Sequence, residues 1–212
     1  MAKLTINNNG SVKVEGDFEI VDAQGNVYGL QGRTVVSICR CGMSANKPFC
    51  DGNHIKANFN GTETSTNEPY IKMAKEIDGP ELKLQDAEVL CASARFCHRG
   101  GDIWQVVPKS DEAWAKKNAV ENACDCPSGR LVIMDKKSGE TIEPKIEKSV
   151  GFIFDVGIGV DGPLWIRGGI PIYSAKDGLY EVRNRVTLCR CGKSQNKPFC
   201  DSSHYPEEDR ER

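Results

Sequence analysis

Apolar and polar residues alternate over short stretches in two places far apart along the chain. Val12 and Val14 are followed by Phe18 and Ile20, and Leu164 and Ile166 are followed by Ile170 and Ile172. A period of two, bounded by Gly, Asp and Asn, predicts short strands joined by turns. The middle of the chain reads differently. A helix is predicted from Ser110 as its cap through Asp111, Glu112, Ala113 and Val120 to Ala123. Strands are predicted over 131–134 and 149–156, with the turn 136–140 between them. Together these elements predict an α+β chain, mainly β, with at least one helix in the middle.

The two β-rich ends are copies of each other. Cys39 to His54 reads CRCGMSANKPFCDGNH and Cys189 to His204 reads CRCGKSQNKPFCDSSH, so 12 of 16 positions are identical at a constant offset of 150. The likeness extends upstream, where Gly10-Ser-Val-Lys-Val-Glu-Gly16 parallels Gly162-Pro-Leu-Trp-Ile-Arg-Gly168. The repeat divides the chain into a first copy (1–61), a middle segment (62–147) and a second copy (148–212), each copy a small β-unit feeding a metal loop.

Both copies space their donors as C-x-C-x8-C-x3-H, placing Cys39, Cys41, Cys50 and His54 in one set and Cys189, Cys191, Cys200 and His204 in the other. These soft or borderline donors suit an iron–sulfur cluster or zinc. Zinc sites more often use C-x2-C or C-x4-C pairs, but a Cys3His set is also a common structural zinc set. Asp51 and Asp201 suit helix caps that would place His54 and His204 on a first turn. Pro48 and Pro198 stiffen the loop, Phe49 and Phe199 can shield a face, and Lys47 and Lys197 can offset thiolate charge. Gly42 and Gly192, with Ser44 and Ser194, would aim backbone N–H groups and a hydroxyl at the sulfurs.

The sequence CRCG-x-S-x-NKPFCDG-x-H closely resembles the signature of the CDGSH iron–sulfur family, the mitoNEET-like proteins. The resemblance implies a [2Fe-2S] cluster on each set, with Cys39 and Cys41 on one iron, Cys50 and His54 on the other, and the same division in the second copy. It also implies acid-labile, redox-active clusters serving electron transfer or cluster donation, and two units sharing a β-cap. A chain with two units can form that pair internally, as a monomer with pseudo-two-fold symmetry. The sequence departs from the family name at Asn53 and Ser202, neither of them a ligand position.

The middle segment holds Cys91, Cys97, Cys124, Cys126 and His98. It is similar to a divergent single-cluster ferredoxin-like segment in which a C-x5-C run precedes Cys-Pro-Ser-Gly. A ferredoxin places another cysteine midway between the first two, and Ala94 stands there. Three ligands map directly, and Cys124 or His98 would supply a fourth. A third iron–sulfur cluster, a three-iron cluster, a reversible disulfide, and buried thiols in a segment that has lost its cluster all remain open readings.

Composition narrows the classes. A net charge of −2 with interspersed signs gives no basic field for nucleic acid or a membrane surface. The most apolar stretch, 150–160, is far shorter than the roughly 20 residues a membrane helix needs. Ten cysteines behind an N-terminus without a secretory pattern favour ligands in a reducing cytoplasm over disulfides. All three histidines lie in or beside the cysteine clusters, so no Ser-His-Asp arrangement forms, and no G-x-G-x-x-G loop is present. Trp104, Trp114 and Trp165 are too dispersed for a base-stacking platform. The expected function is a non-enzymatic iron–sulfur protein in electron transfer, cluster transfer or redox sensing, partnered by a redox protein or an apo-protein acceptor. The alternative is a structural zinc or iron module without a redox role.

Overall fold

The computed structural model describes residues 2–176 and 178–206. In chain order its elements are β1 (Lys3–Ile6), β2 (Val12–Glu15), β3 (Glu19–Val21), β4 (Val35–Ile38), α1 (Asn53–Lys56), α2 (Tyr70–Met73), β5 (Lys75–Asp78) and β6 (Leu82–Asp86). Then follow α3 (Ile103–Val106), α4 (Ala113–Cys124), β7 (Leu131–Asp135), β8 (Thr141–Ile142), β9 (Ser149–Asp155), β10 (Val160–Arg167), β11 (Ile172–Tyr173) and β12 (Arg185–Leu188). The chain is a mixture of α and β, mainly strand. It divides into two compact units, Met1–Asn67 with Ile146–Arg212, and Glu68–Lys145.

The first unit is built on two four-stranded sheets, ordered β11-β1-β2-β4 and β12-β10-β9-β3. Three strands of each sheet come from one copy of the repeat. The fourth comes from the other copy: β11 runs parallel to β1 with Leu4 opposite Ile172, and β3 runs parallel to β9 with Ile20 opposite Val150. The period-two pattern explains which residues turn inward. Leu4, Ile6, Val12, Val14, Ile20, Val150, Leu164 and Ile166 are almost fully buried, each removing apolar surface worth roughly 2 kcal/mol. Alternate positions such as Lys13 and Glu15 stay nearer the surface and pair with each other.

The second unit carries the antiparallel sheet β5-β6-β7-β8, with Leu84 opposite Ile133. Helices α3 and α4 pack onto it around Leu82, Leu84, Ile103, Val107, Ala115, Ala119, Leu131 and Ile133. The predicted helix exists but starts later. Ser110 is not its cap, because the buried hydroxyl instead accepts the N–H groups of Glu81 and Leu82 at the β5–β6 turn, and Glu112 takes the cap position. The predicted 136–140 turn does not lead into the 149–155 strand. Asp135 accepts the N–H groups of Lys137 and Ser138 and folds the chain back into β8. Among the described residues, no helix is long and apolar enough to cross a membrane.

Candidate metal centres

Each cysteine loop hangs from the end of a strand and doubles back along it. After β4 the Cys39 N–H donates to the Pro48 carbonyl (2.9 Å), and the Cys50 N–H donates to the Ser37 carbonyl (2.8 Å). The returning limb therefore sets Cys50 beside Cys39. After β12 the bonds repeat, Cys189 N–H to Pro198 (2.8 Å) and Cys200 N–H to Thr187 (3.0 Å). The Lys47–Pro48 and Lys197–Pro198 peptide bonds are both cis.

Two side chains close each loop, in roles other than those expected. Ser44 does not point at a sulfur. Its hydroxyl donates to the Phe49 carbonyl (2.6 Å) and accepts the Asn46 N–H (3.0 Å), and Ser194 does the same with Phe199 and Asn196. Asp51 is not a helix cap. Its carboxylate takes the N–H groups of Asn53 (3.0 Å) and Ala45 (2.8 Å), which hold its pKa below the ordinary range, and Gly52 occupies the cap position at φ 86°. Asp201 clamps Ser203 and Gln195 identically. His54 lies in the single turn α1, whereas His204 lies in a turn that never becomes helix, entered through Ser202 at φ 69°. The backbone half of the sulfur expectation holds: the Met43 N–H donates to Cys41 Sγ (3.4 Å) and the Lys193 N–H to Cys191 Sγ (3.5 Å).

The donors come together in pairs. Cys39 Sγ lies 3.7 Å from Cys41 Sγ, and Cys50 Sγ lies 3.4 Å from His54 Nδ1. In the second copy the corresponding distances are 3.8 Å and 3.8 Å. Two donors on one tetrahedral metal, each about 2.0–2.3 Å from it, are themselves about 3.6–3.8 Å apart. Each pair is thus spaced as two ligands of one metal ion, with no disulfide between them. Among the described residues no three His, Cys, Asp or Glu side chains converge on a single metal position.

The two loops touch back to back. A Cβ on Gly42 would stand 3.2 Å from the Cys191 carbonyl, and one on Gly192 would stand 3.0 Å from the Cys41 carbonyl, so the glycines are what permit this approach. A cleft of about 330 Å3 opens beside them, lined by Cys41, Met43, Lys47, Cys191, Lys193 and His204 among others. The arginines of the two CRCG runs were not singled out by spacing, although both belong to the identical positions. Arg40 is wholly buried, donating to the carbonyls of Gly10, Asn7 and Gly61 and lying over Phe59. Arg190 instead pairs with Asp161 (2.6 Å) over Phe152. Burial raises the Cys41 thiol pKa, whereas a hydrogen bond from Cys191 lowers that of Cys189, helped by the Ser194 and Gly192 N–H groups and Lys197.

In the second unit Cys91, Cys97 and Cys126 line one small pocket, with Ser93, Ala94 and Arg130. Burial, and then the nearby Cys91 and Cys126, push the Cys97 thiol up to about 11. Cys124 is not among the lining residues, its Sγ lying 3.8 Å from the Ile142 carbonyl on β8. His98 also lies apart, bonded to Asp102 (2.5 Å) and beside the Trp104 ring. Arg130 grips Asp86 through two bonds (2.6 and 2.9 Å), and Trp104 Nε1–H donates to the same carboxylate.

Comparison with known sequences agrees with this division. Residues 9–55 and 161–205 match the family described as iron-binding zinc finger CDGSH type, and residues 77–136 match the one described as a divergent 4Fe-4S mono-cluster. No curated protein matches the chain. Two segments of the CDGSH iron–sulfur type, each with paired donors, thus flank a segment of ferredoxin type, which is the arrangement of a tandem CDGSH chain.

Proposed function

We propose that the first unit carries two [2Fe-2S] clusters, one on Cys39, Cys41, Cys50 and His54, the other on Cys189, Cys191, Cys200 and His204, and that the protein moves single electrons or delivers clusters. The observation that carries this reading is the arrangement of donors as two metal-spaced pairs per motif. A binuclear cluster needs two such pairs, whereas a structural zinc ion needs all four donors around one point. When bound, each cluster supplies a site that accepts and returns one electron.

The chain's own residues then bias that exchange. The Met43 and Lys193 N–H groups donate to ligand sulfurs, which favours the more negative, reduced state. The buried Arg40 adds fixed positive charge beside Cys41 and Cys189. Tyr28 against Phe49, and Tyr180 against Phe199, form edge-on aromatic walls over the returning limbs. The partner is a redox protein or an apo-protein acceptor, and the cleft beside Cys41 and Cys191 is where it would approach. The reciprocal exchange of β3 and β11 supports an internal pair acting as a monomer.

The test is an anaerobic visible spectrum with iron, sulfide and zinc counts per chain. About four irons and four sulfides from the motif sites, with absorption bleached by dithionite, is the expected result. Colourless protein holding about two zinc ions would overturn the proposal.

A further inference from the structure

We propose that the first motif carries an open docking groove for an extended segment of a partner protein, one that presents a glutamate followed directly by a threonine or serine. The inference does not depend on what the motifs bind. It rests on the second copy of the repeat, where the same groove is filled by the chain's own residues 62–65.

The filled groove shows the chemistry. The Glu63 carboxylate accepts the Ala175 N–H (2.8 Å) and the Tyr180 hydroxyl (2.7 Å). Thr64 lies along the edge of the cysteine loop, where its hydroxyl accepts the Lys197 N–H (2.9 Å) and donates to the Gln195 carbonyl (2.7 Å). The N–H groups of Thr64 and Ser65 both donate to the Lys197 carbonyl (2.8 Å each). Arg40 stands behind the segment, donating to the Gly61 carbonyl (3.0 Å) and attracting Glu63. A carboxylate held by two donors and a hydroxyl used both ways select Glu-Thr or Glu-Ser, and pairing to one loop edge keeps the segment extended.

The first copy repeats these groups and leaves them unused. The Tyr28 N–H donates to the Ile20 carbonyl (2.8 Å) as the Tyr180 N–H does to Ile172 (3.0 Å), so Tyr28 and Ala23 correspond to Tyr180 and Ala175. Lys47 and Ala45 correspond to Lys197 and Gln195. Among the described residues, the Tyr28 hydroxyl, the Ala23 and Lys47 N–H groups, and the Lys47 and Ala45 carbonyls have no hydrogen-bond partner. A pocket of about 240 Å3 opens there, lined by Ala23, Tyr28, Lys47, Pro48, Phe152 and Arg190 among others. Arg190 lies over Phe152 as Arg40 lies over Phe59, and so takes the corresponding place behind the groove. Ala45, Asn46 and Lys47 are exposed, whereas Asn196 and Lys197 are half-buried beside the segment. Two carboxylates already face the pocket, and neither uses the free groups. Asp161 pairs with Arg190 and lies 3.9 Å from Lys47 Nζ. Asp22 accepts the N–H groups of Gln24 and Asn26 in its own turn, where Ser174 accepts that of Lys176. Asp22 is therefore the one change in the first copy that opposes an incoming carboxylate.

The experiment titrates the full-length protein, prepared anaerobically, into a fluorescent peptide of residues 61–67, Gly-Thr-Glu-Thr-Ser-Thr-Asn, and reads anisotropy. One peptide per chain is expected, with a Kd on the order of 100 μM. Glu63→Gln or Thr64→Val in the peptide should each weaken binding about tenfold. Tyr28→Phe in the protein keeps the ring on Phe49 and Phe152 and removes only the hydroxyl; it should also cost about tenfold, with no further loss for the Glu63→Gln peptide. Asp22→Ser should tighten binding by about threefold, and less as salt is added. No saturation at about 1 mM peptide, or equal binding of the Glu63→Gln peptide, would overturn the proposal. So would a loss in Tyr180→Phe in place of Tyr28→Phe, since the peptide would then be displacing the chain's own segment from the second copy.

Discussion

The two CDGSH motifs share twelve of sixteen residues and the same internal hydrogen bonds, yet they are covered differently. In the first, Cys39 and Cys41 are buried while Cys50 and His54 are half-exposed, beside Met43 (60 % exposed) and Ile55 (73 %). In the second, Cys191 is the more open cysteine and Cys200 is buried, while His204, half-buried like His54, has its side chain 3.8 Å from Asp155 and against the Tyr205 ring. The hairpins explain the difference. Strands β1 and β2 have four residues each, but β9 and β10 have seven and eight, and the added length carries Asp155 over the histidine. A short motif sets the spacing of its donors, and the hairpin behind it decides which of them solvent reaches.

The largest effect should come from breaking the contact that the motifs share. Gly192→Ala forces a side chain into the left-handed region at φ 80° and against the Cys41 carbonyl and Phe59. Backbone strain and overpacking together should cost about 3 kcal/mol. Because the contact belongs to the opposite motif, iron should be lost from both sites, and calorimetric melting should fall with it. Loss confined to the second site would show that the loops are independent.

The next effect concerns access. Cys200→Ala should leave only the first proposed cluster and Cys50→Ala only the second. A ferrous chelator should then strip the first about tenfold faster, a barrier difference of ~1.4 kcal/mol, because the Cys50–His54 pair is the more open. Equal rates by visible absorption would mean that Asp155 and the longer hairpin do not govern release.

What was legible in the sequence was what lies close together along it. The cysteine spacing, the repeat and the period-two strands are local, and the family matches fall on the same blocks. The family resemblance implies a shared β-cap, but which strands cross was not legible, because β3 and β11 are only three and two residues long and periodicity says nothing of a partner far away in the chain. Ser110 carried a sound local cap signal, but the N–H groups of Glu81 and Leu82 claimed its hydroxyl. Asp51 is the right residue type for a cap but has another duty, since its bond to Ala45 spans the loop rather than opening a helix. Arg40 and Arg190 stand at the same position of the repeat and are both buried, and only their partners separate them: backbone carbonyls for Arg40, the Asp161 carboxylate for Arg190.

The smallest effect tests whether the remaining differences inside the motif matter. Lys193 stands where Met43 stands in the first copy, and each donates its backbone N–H to a cysteine sulfur, Cys191 and Cys41 respectively. Both side chains line the same cleft, so a charge there is partly screened by solvent. Exchanging them as Met43→Lys with Lys193→Met keeps the N–H bonds and moves only the charge. The redox titration should then show the first cluster rising in potential and the second falling, by a small amount that shrinks as salt is added. Potentials that stay fixed would assign the difference between the sites to the Arg40 and Arg190 environments, which the exchange leaves untouched.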